Sequence, residues 1–200
     1  MSCCTNTQIK TRLGIDNDAS DAILTSIATG VAAMFAGHCG RQLVRPAAAV
    51  TEYYHGGHGG DGDTIYLSYF PDVVITSVKE ALNHGHASED ALTANEDYVV
   101  NDARGRLVCY GAWLHGVDAV QVVYKGGYVA AGSVPGEGEH AMPDAIVEAA
   151  ILQGCFVFQR RHELGLTSQS SGGGGFSAYT QDKLLPAVRE LLAPYRRVLL

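Results

Sequence analysis

Ile23, Ile27, Val31 and Phe35 recur every four residues, with Ala28 and Met34 beside them. That spacing predicts a helix with one apolar stripe. Asp16, Asn17 and Asp18 stand just before it and offer capping oxygens and negative charge to its positive end. Gly37 and Gly40 mark its end, and Arg41 and Arg45 place cations near the negative terminus. The first fifteen residues carry little pattern and are expected to fray or reach outward.

After residue 50 the period changes. Val50–Tyr54, Thr64–Tyr69 and Val73–Leu82 are rich in β-branched and aromatic residues. Ile65 and Leu67 alternate with Tyr66 and Ser68, the period of a half-buried strand. Tyr98–Val100 and Leu107–Tyr110 flank Asn101–Arg106, which reads as a hairpin turn. Val120, Val122 and Tyr124 alternate in a further strand that Gly126 and Gly127 close. Residues 50–128 thus predict five or six antiparallel strands.

Helical spacing then returns. Pro143 suits a first helical position, with Asp144 beside it. Ile146, Val147, Ala150, Ile151, Cys155 and Phe158 make a stripe that Gly165 stops. Ser168–Ala178 holds four consecutive glycines and reads as a flexible linker. A last helix carries Leu184, Leu185, Val188, Leu191 and Leu192. Pro186 requires it to begin near Leu184, and Pro194 ends it. The expected fold is α+β. A bundle of one long N-terminal helix (13–45) and two C-terminal helices (one at 142–165, the other within 180–200, which also holds the docking tail) receives an antiparallel β insertion (50–128). A linker (166–179) precedes the last helix, and an extended tail closes the single domain.

Composition supports a folded chain. Of 200 residues, 46% are hydrophobic and 18% charged, unlike the charge-rich, apolar-poor class that stays disordered. There are 14 Lys and Arg against 21 Asp and Glu, a net charge of -7, with a pI of about 5.5. Gripping nucleic acid by its phosphates needs a basic face, so a reader of DNA is not expected. An acidic surface suits a passage through which DNA slides without sticking. The five cysteines are irregularly spaced and form no C-x-x-C pair, so they read as free thiols in a reducing compartment. No basic N-terminal region leads into an apolar run, and no segment approaches the roughly 18 apolar residues that suggest a membrane span. The chain is therefore expected in the cytoplasm until it assembles, with no membrane partner.

Candidate chemistry is sparse. His55, His58, Asp61 and Asp63 lie within nine residues and are metal-ligand types. Five of those nine residues are glycine, however, and ordering such a segment costs on the order of 1–2 kcal/mol per residue. The spacing matches no familiar metal motif, so a solvated loop is the expected reading. His84 and His86 flank Gly85 in a second such segment and read as a polar turn. There is no nucleophile elbow, and the glycine run lacks the Lys-Ser/Thr of a phosphate loop. Cys109 and Cys155 fall on apolar positions, where thiols serve the core. Tyr53, Tyr54, Tyr66 and Tyr69 fall on neighbouring strands and suit sheet packing better than a subunit contact. No cofactor and no catalytic residue is expected.

Several pieces, in order, resemble the head–tail connector (adaptor) proteins of tailed bacteriophages. They are Leu13-Gly14-Ile15-Asp16 before a long apolar helix, Thr76-Ser77-Val78-Lys79, Asp97–Val100 leading to Gly105-Arg106-Leu107, and Val120–Tyr128. Val134-Pro135, Met142–Ile146 and the terminal Leu191-Leu192-Ala193-Pro194-Tyr195-Arg196-Arg197 follow. The resemblance spans residues 13–200. The histidine-glycine segments and the length of Gly132–Ala141 depart from it. It implies a virion neck protein and not an enzyme: a ring, typically of twelve copies, beneath the portal, with DNA passing through its centre. It also implies a head-closure or tail-terminator protein on the lower face. Tyr195, Arg196, Arg197, Val198, Leu199 and Leu200 would dock onto the portal, the arginines offering planar forks to carboxylates and the last three residues an apolar end. The remaining alternatives are a metal-binding domain or metalloenzyme built on residues 55–63, and a stopper or tail-completion ring protein. The terminal helices argue against the last.

Overall fold

The computed structural model describes residues 2–56, 63–81, 86, 91–161, 168–171, 175–178 and 184–197. The chain forms two compact units. Gly40–Met142 is one; Ser2–Cys39 together with Pro143–Leu200 is the other. Among the described residues the fold is mixed α and β, with four helices, two small antiparallel three-stranded sheets and one two-stranded sheet.

The second, helical unit begins earlier than the sequence pattern suggests. Helix α1 spans Asn6–Leu13. Thr5 and Gln8 close a reciprocal capping box at its start, and Gly14 ends it in the left-handed region at φ 68°. Ile9 is fully buried, as are Cys3 and Cys4. The expectation of a frayed N-terminus is therefore corrected. Its signal was the Thr5-x-x-Gln8 box, which a search for apolar periodicity passes over. Thr5→Ala should cost about 1 kcal/mol of helical-unit stability, measurable as a lower urea midpoint at unchanged slope.

Helix α2 spans Asp21–Cys39. Its buried stripe is Leu24, Ala28, Val31, Phe35 and Cys39. Ile23, expected in the stripe, is 47% exposed. A strict four-residue repeat advances about 40° beyond a full turn at each step. It therefore drifts off the face that a mixed three- and four-residue spacing holds. By length and composition alone α2 is long and apolar enough to cross a membrane, which corrects the expectation that no segment approaches such a span. Thr25, Ser26, Thr29 and Gly30 break the run that a search for uninterrupted apolar residues requires. The helix ends at Cys39, so Arg41 and Arg45 are not its terminal cations. Arg41 is buried in the β unit, its guanidinium 4.2 Å from the centre of the Phe70 ring and its Nη1 donating to the Phe70 carbonyl at 3.0 Å.

Helix α3 spans Asp144–Gln159, with Pro143 as its cap rather than its first residue. It ends before Gly165, which lies outside the described residues. Gly154 of α3 lets Ile9 approach closely: a Cβ there would meet Ile9 Cδ1 at 3.0 Å. Arg12 of α1 grips Glu148 of α3 with both carboxylate oxygens, at 2.9 and 2.8 Å. Strands β7 (Ser168–Ser171) and β8 (Gly175–Ala178) pair antiparallel. The described backbone of the expected linker is thus a ladder. Helix α4 spans Pro186–Leu192 with the proline at its start, two residues after the predicted beginning. A 3-10 turn, Ala193–Tyr195, continues it.

In the β unit, β1 (Val50–Gly56), β6 (Gly116–Lys125) and β3 (Val74–Glu80) form one sheet in the order β1-β6-β3. Strands β2 (Thr64–Tyr66), β5 (Arg106–Cys109) and β4 (Tyr98–Asn101) form the other in the order β2-β5-β4. The predicted hairpin is present, turned by a 3-10 segment at Asp102–Arg104 and by Gly105 at φ 61°. Residues from both sheets share one core, including Ile65, Leu67, Leu107, Val78, Val122 and Tyr124.

A polar knot sits at the edge of that core. The hydroxyls of Tyr54 and Tyr124 both donate to Glu52 Oε2, Tyr124 at 2.6 Å. The backbone N–H groups of Ser68 and Tyr69 donate to the Tyr124 oxygen at 2.9 and 3.1 Å. Burial pushes both phenols well above the usual tyrosine range; for Tyr54 the neighbouring Tyr124 and Glu52 add to it, for Tyr124 its bond to Glu52. The knot ties β1, β6 and the chain after β2 in one register. Of the four clustered tyrosines, Tyr54 and Tyr69 serve packing as expected, whereas Tyr53 is 52% exposed.

Candidate docking site

The described part of the C-terminal segment is held by its own helical unit. Leu184, Val188 and Leu192 are buried. The side-chain oxygen of Gln153, itself buried on α3, accepts the Leu185 N–H at 3.1 Å. Further on, the N–H of Arg197 donates to the carbonyl of Cys39 at 2.7 Å. That carbonyl is one of the acceptors that the end of α2 leaves without an intrahelical partner. Tyr195 and Arg197 are half-buried and Arg196 is exposed. Val198, Leu199 and Leu200 lie outside the described residues. The six residues expected to dock therefore divide, and the first three run against the end of α2.

This course brings charged groups together. His38 precedes Cys39, and its pKa is lowered by burial, then by Arg196, then by Arg189 on α4. Sequence reasoning missed His38 and Arg189. They stand 151 positions apart in a 200-residue chain, and no local spacing links them.

Of the candidate metal-ligand residues 55–63, only His55 and Asp63 are among the described residues, and each has its own contacts. His58 and Asp61 lie outside the described residues, as does His84. His55 Nδ1 accepts the N–H of Asp118 at 3.0 Å and lies 3.4 Å from its carboxylate. Asp63 instead accepts the Thr64 hydroxyl at 3.0 Å, and its carbonyl accepts the Cys109 N–H at 2.8 Å. His86 reaches the Asp118 carbonyl at 3.2 Å through Nε2. Among the described residues, no group of three or more His, Cys, Asp or Glu is arranged to hold a metal ion.

Charge is distributed unevenly. The β unit carries 13 acidic and 6 basic residues, and the helical unit 8 of each. The whole net charge of -7 therefore belongs to the β unit. Four of the five cysteines (Cys3, Cys4, Cys39 and Cys155) are buried in the helical unit as free thiols.

No protein-family model matches the chain, and no curated protein matches it. Solved structures do. A chain in the neck of the empty GTA particle, computed with C6 symmetry, aligns over 99% of this chain and 91% of its own length. Its TM-score is 0.65 at 18% identity. A chain in the neck of the native GTA particle, computed with C12 symmetry, aligns over 100% and 94%, with a TM-score of 0.55 at 20% identity. The class is thus an α+β fold shared with chains of particle necks. At these identities the likeness is one of fold.

Proposed function

We propose that this chain is a structural subunit of a phage-like particle neck: a head–tail adaptor that joins capsid to tail as a ring of identical copies. The observation that carries the reading is the fold likeness, over nearly the full length of both chains, to neck components of GTA particles. Those necks were computed with C6 and C12 symmetry, which supports a closed ring and, in this reading, twelve copies. In such a ring each weak contact is made together with all the others, so the assembly outlasts any single contact. The acidic β unit suits a channel that passes DNA without binding its sequence. The portal would lie on one side of the ring and a head-closure or tail-terminator protein on the other. The subunit catalyses no reaction, and its place is the virion neck.

In this reading the tail end docks onto the portal. The Arg197–Cys39 bond refines the deletion that tests it. Removing all of Tyr195–Leu200 would also strip a carbonyl partner from α2, so the cleaner truncation removes only Val198–Leu200. The full chain should sediment as a monomer or weak oligomer alone and bind purified portal assemblies. The truncated chain should keep its circular dichroism and lose that binding. A truncated chain that binds portal assemblies equally well ends the tail role.

A further inference from the structure

We propose that the loop Ala130–His140 is a pre-formed finger whose apolar tip, Val134, seats on the exposed, uncharged face of α2 in the next copy of this chain around the ring. The inference rests on the neck reading and names one contact that closes the ring. The length of this segment departs from the adaptor resemblance, which therefore assigns it no role.

The loop is clamped at its foot within the β unit. The Val129 N–H donates to the His140 carbonyl at 2.9 Å, and Val129 bridges Ala141. His140 meets both carboxylate oxygens of Asp72, its N–H at 2.6 Å and its Nδ1 at 2.7 Å. Asp72 is itself buried. Arg45 donates to the Asp72 carbonyl at 2.9 Å and pairs through Nε with Glu139 at 3.0 Å. The other Glu139 oxygen accepts the Gly136 N–H at 3.0 Å. A bond of 3.1 Å from the Ser133 N–H to the Ala130 carbonyl turns the chain before the tip. Beyond these bonds Val134 is 91% exposed.

A lone exposed valine is ordinary. A loop that only spans a gap, however, needs no buried carboxylate to hold it. Fixing the tip beforehand spares the entropy that a mobile loop would lose on binding.

Three observations favour a second copy as the occupant. Both neck structures that share this fold were computed with rotational symmetry, and a closed ring joins one patch of a subunit to a different patch of the next. The β unit carries the whole net charge of -7, so its finger is repelled by another β unit and not by the balanced helical unit. Within the helical unit, α2 has no Asp, Glu, Lys or Arg after Asp21. Ile23, Ser26, Gly30, Ala33 and Gly37 are exposed on it at alternating three- and four-residue steps, a face opposite the buried stripe. Covering that face desolvates no ion. A Cβ at Gly30 or Gly37 would meet nothing within 4 Å, which leaves room for a valine.

The test replaces Val134 of the full chain by the photo-crosslinking residue p-benzoylphenylalanine. Irradiation should yield a dimer band whose linked peptide comes from α2. Sedimentation of the chain alone over a range of concentrations reads the same contact. Val134→Asp and Gly30→Gln should each weaken self-association about tenfold or more. Gly30→Gln replaces a helix-weakening glycine where there is open space, so it should fold at least as stably as the parent. Tyr110→Ser, which changes an exposed aromatic outside the finger, should associate as the parent does. Truncation of Val198–Leu200 should leave self-association intact. No portal assembly enters these measurements, so the neck reading, the tail role and the finger contact fail separately. Any of three results overturns the proposal: cross-links from position 134 only within one chain or to a segment other than α2, self-association by Val134→Asp or Gly30→Gln equal to that of the parent, or a parent that stays monomeric at every concentration, whether or not it floats with phosphatidylcholine vesicles.

Discussion

Gly56→Ala is expected to destabilise the β unit by about 3 kcal/mol or more, the upper end for forcing atoms into a packed site. Gly56 is the last residue of β1 and pairs with Gly116 of β6 across an irregular register step. A Cβ at Gly56 would fall inside the contact shells of the Leu114 carbonyl oxygen and carbon. Those are backbone atoms, and they cannot rotate away as a side-chain end would. Leu114 is itself pinned, its N–H donating to Glu80 Oε1 at 2.7 Å. Relief must therefore come from parting β1 and β6 or from breaking the Glu80 contact. Urea unfolding should show a midpoint well below that of the parent. Gly111→Ala, where a Cβ meets open space, is the control and should change little. A Gly56→Ala midpoint within experimental scatter of the parent would show that the strand end yields without cost.

The second large effect is loss of helical-unit stability in alkali. Burial, helped by the neighbouring thiols, raises the Cys3 pKa from 9.0 to about 12; burial and then Cys155 raise that of Cys4 to about 11. The folded state thus holds these protons where the unfolded chain releases them. Below about pH 9 the contribution is fully present. As pH climbs from 9 towards 11 and 12 it is lost, by about 1.4 kcal/mol per pH unit for each thiol. With both thiols titrating only when unfolded, stability should fall by a few kcal/mol between pH 9 and 11. Equilibrium unfolding at pH 8, 9, 10 and 11 reads this directly. Replacing Cys3 and Cys4 together by alanine should lower stability at pH 8 through lost packing, and flatten the decline above pH 9. An equally steep decline in the double variant would assign the alkaline loss to other groups, such as the buried phenols of the Glu52 knot.

The histidine-glycine segment shows where sequence reasoning stopped short. Five glycines in nine residues suggested a backbone too free to organise. Yet His55 and Gly56 belong to β1, and the glycine is there because Leu114 leaves no space for a side chain. Flexibility and tight approach select the same residue type, and only the neighbours tell them apart. The apolar stripe of α2 was legible as a helix but not as a face, since Ile23 and Leu24 are adjacent and hydrophobicity alone does not rank them. The tail was legible as basic and apolar residues at the end of a short helix. Its course along α2 was not, because contacts between residues far apart in the chain, the Arg197 bond to Cys39 among them, set it.

The order of amino acids was enough to determine which segments become helices and which become strands across most of the chain. Periods of 3.6 and 2, and the glycines and prolines that punctuate them, are local properties of the backbone. It also determined the acidic balance, and it supplied the ordered pieces that resemble an adaptor. Tertiary structure alone decided the rest: two three-stranded sheets, the Glu52 knot, the burial of Cys3 and Cys4, and the bond of Arg197 to Cys39. These are contacts between residues far apart in the chain. Their free energy comes from burial and from charge at short distance, and neither exists until the segments have packed.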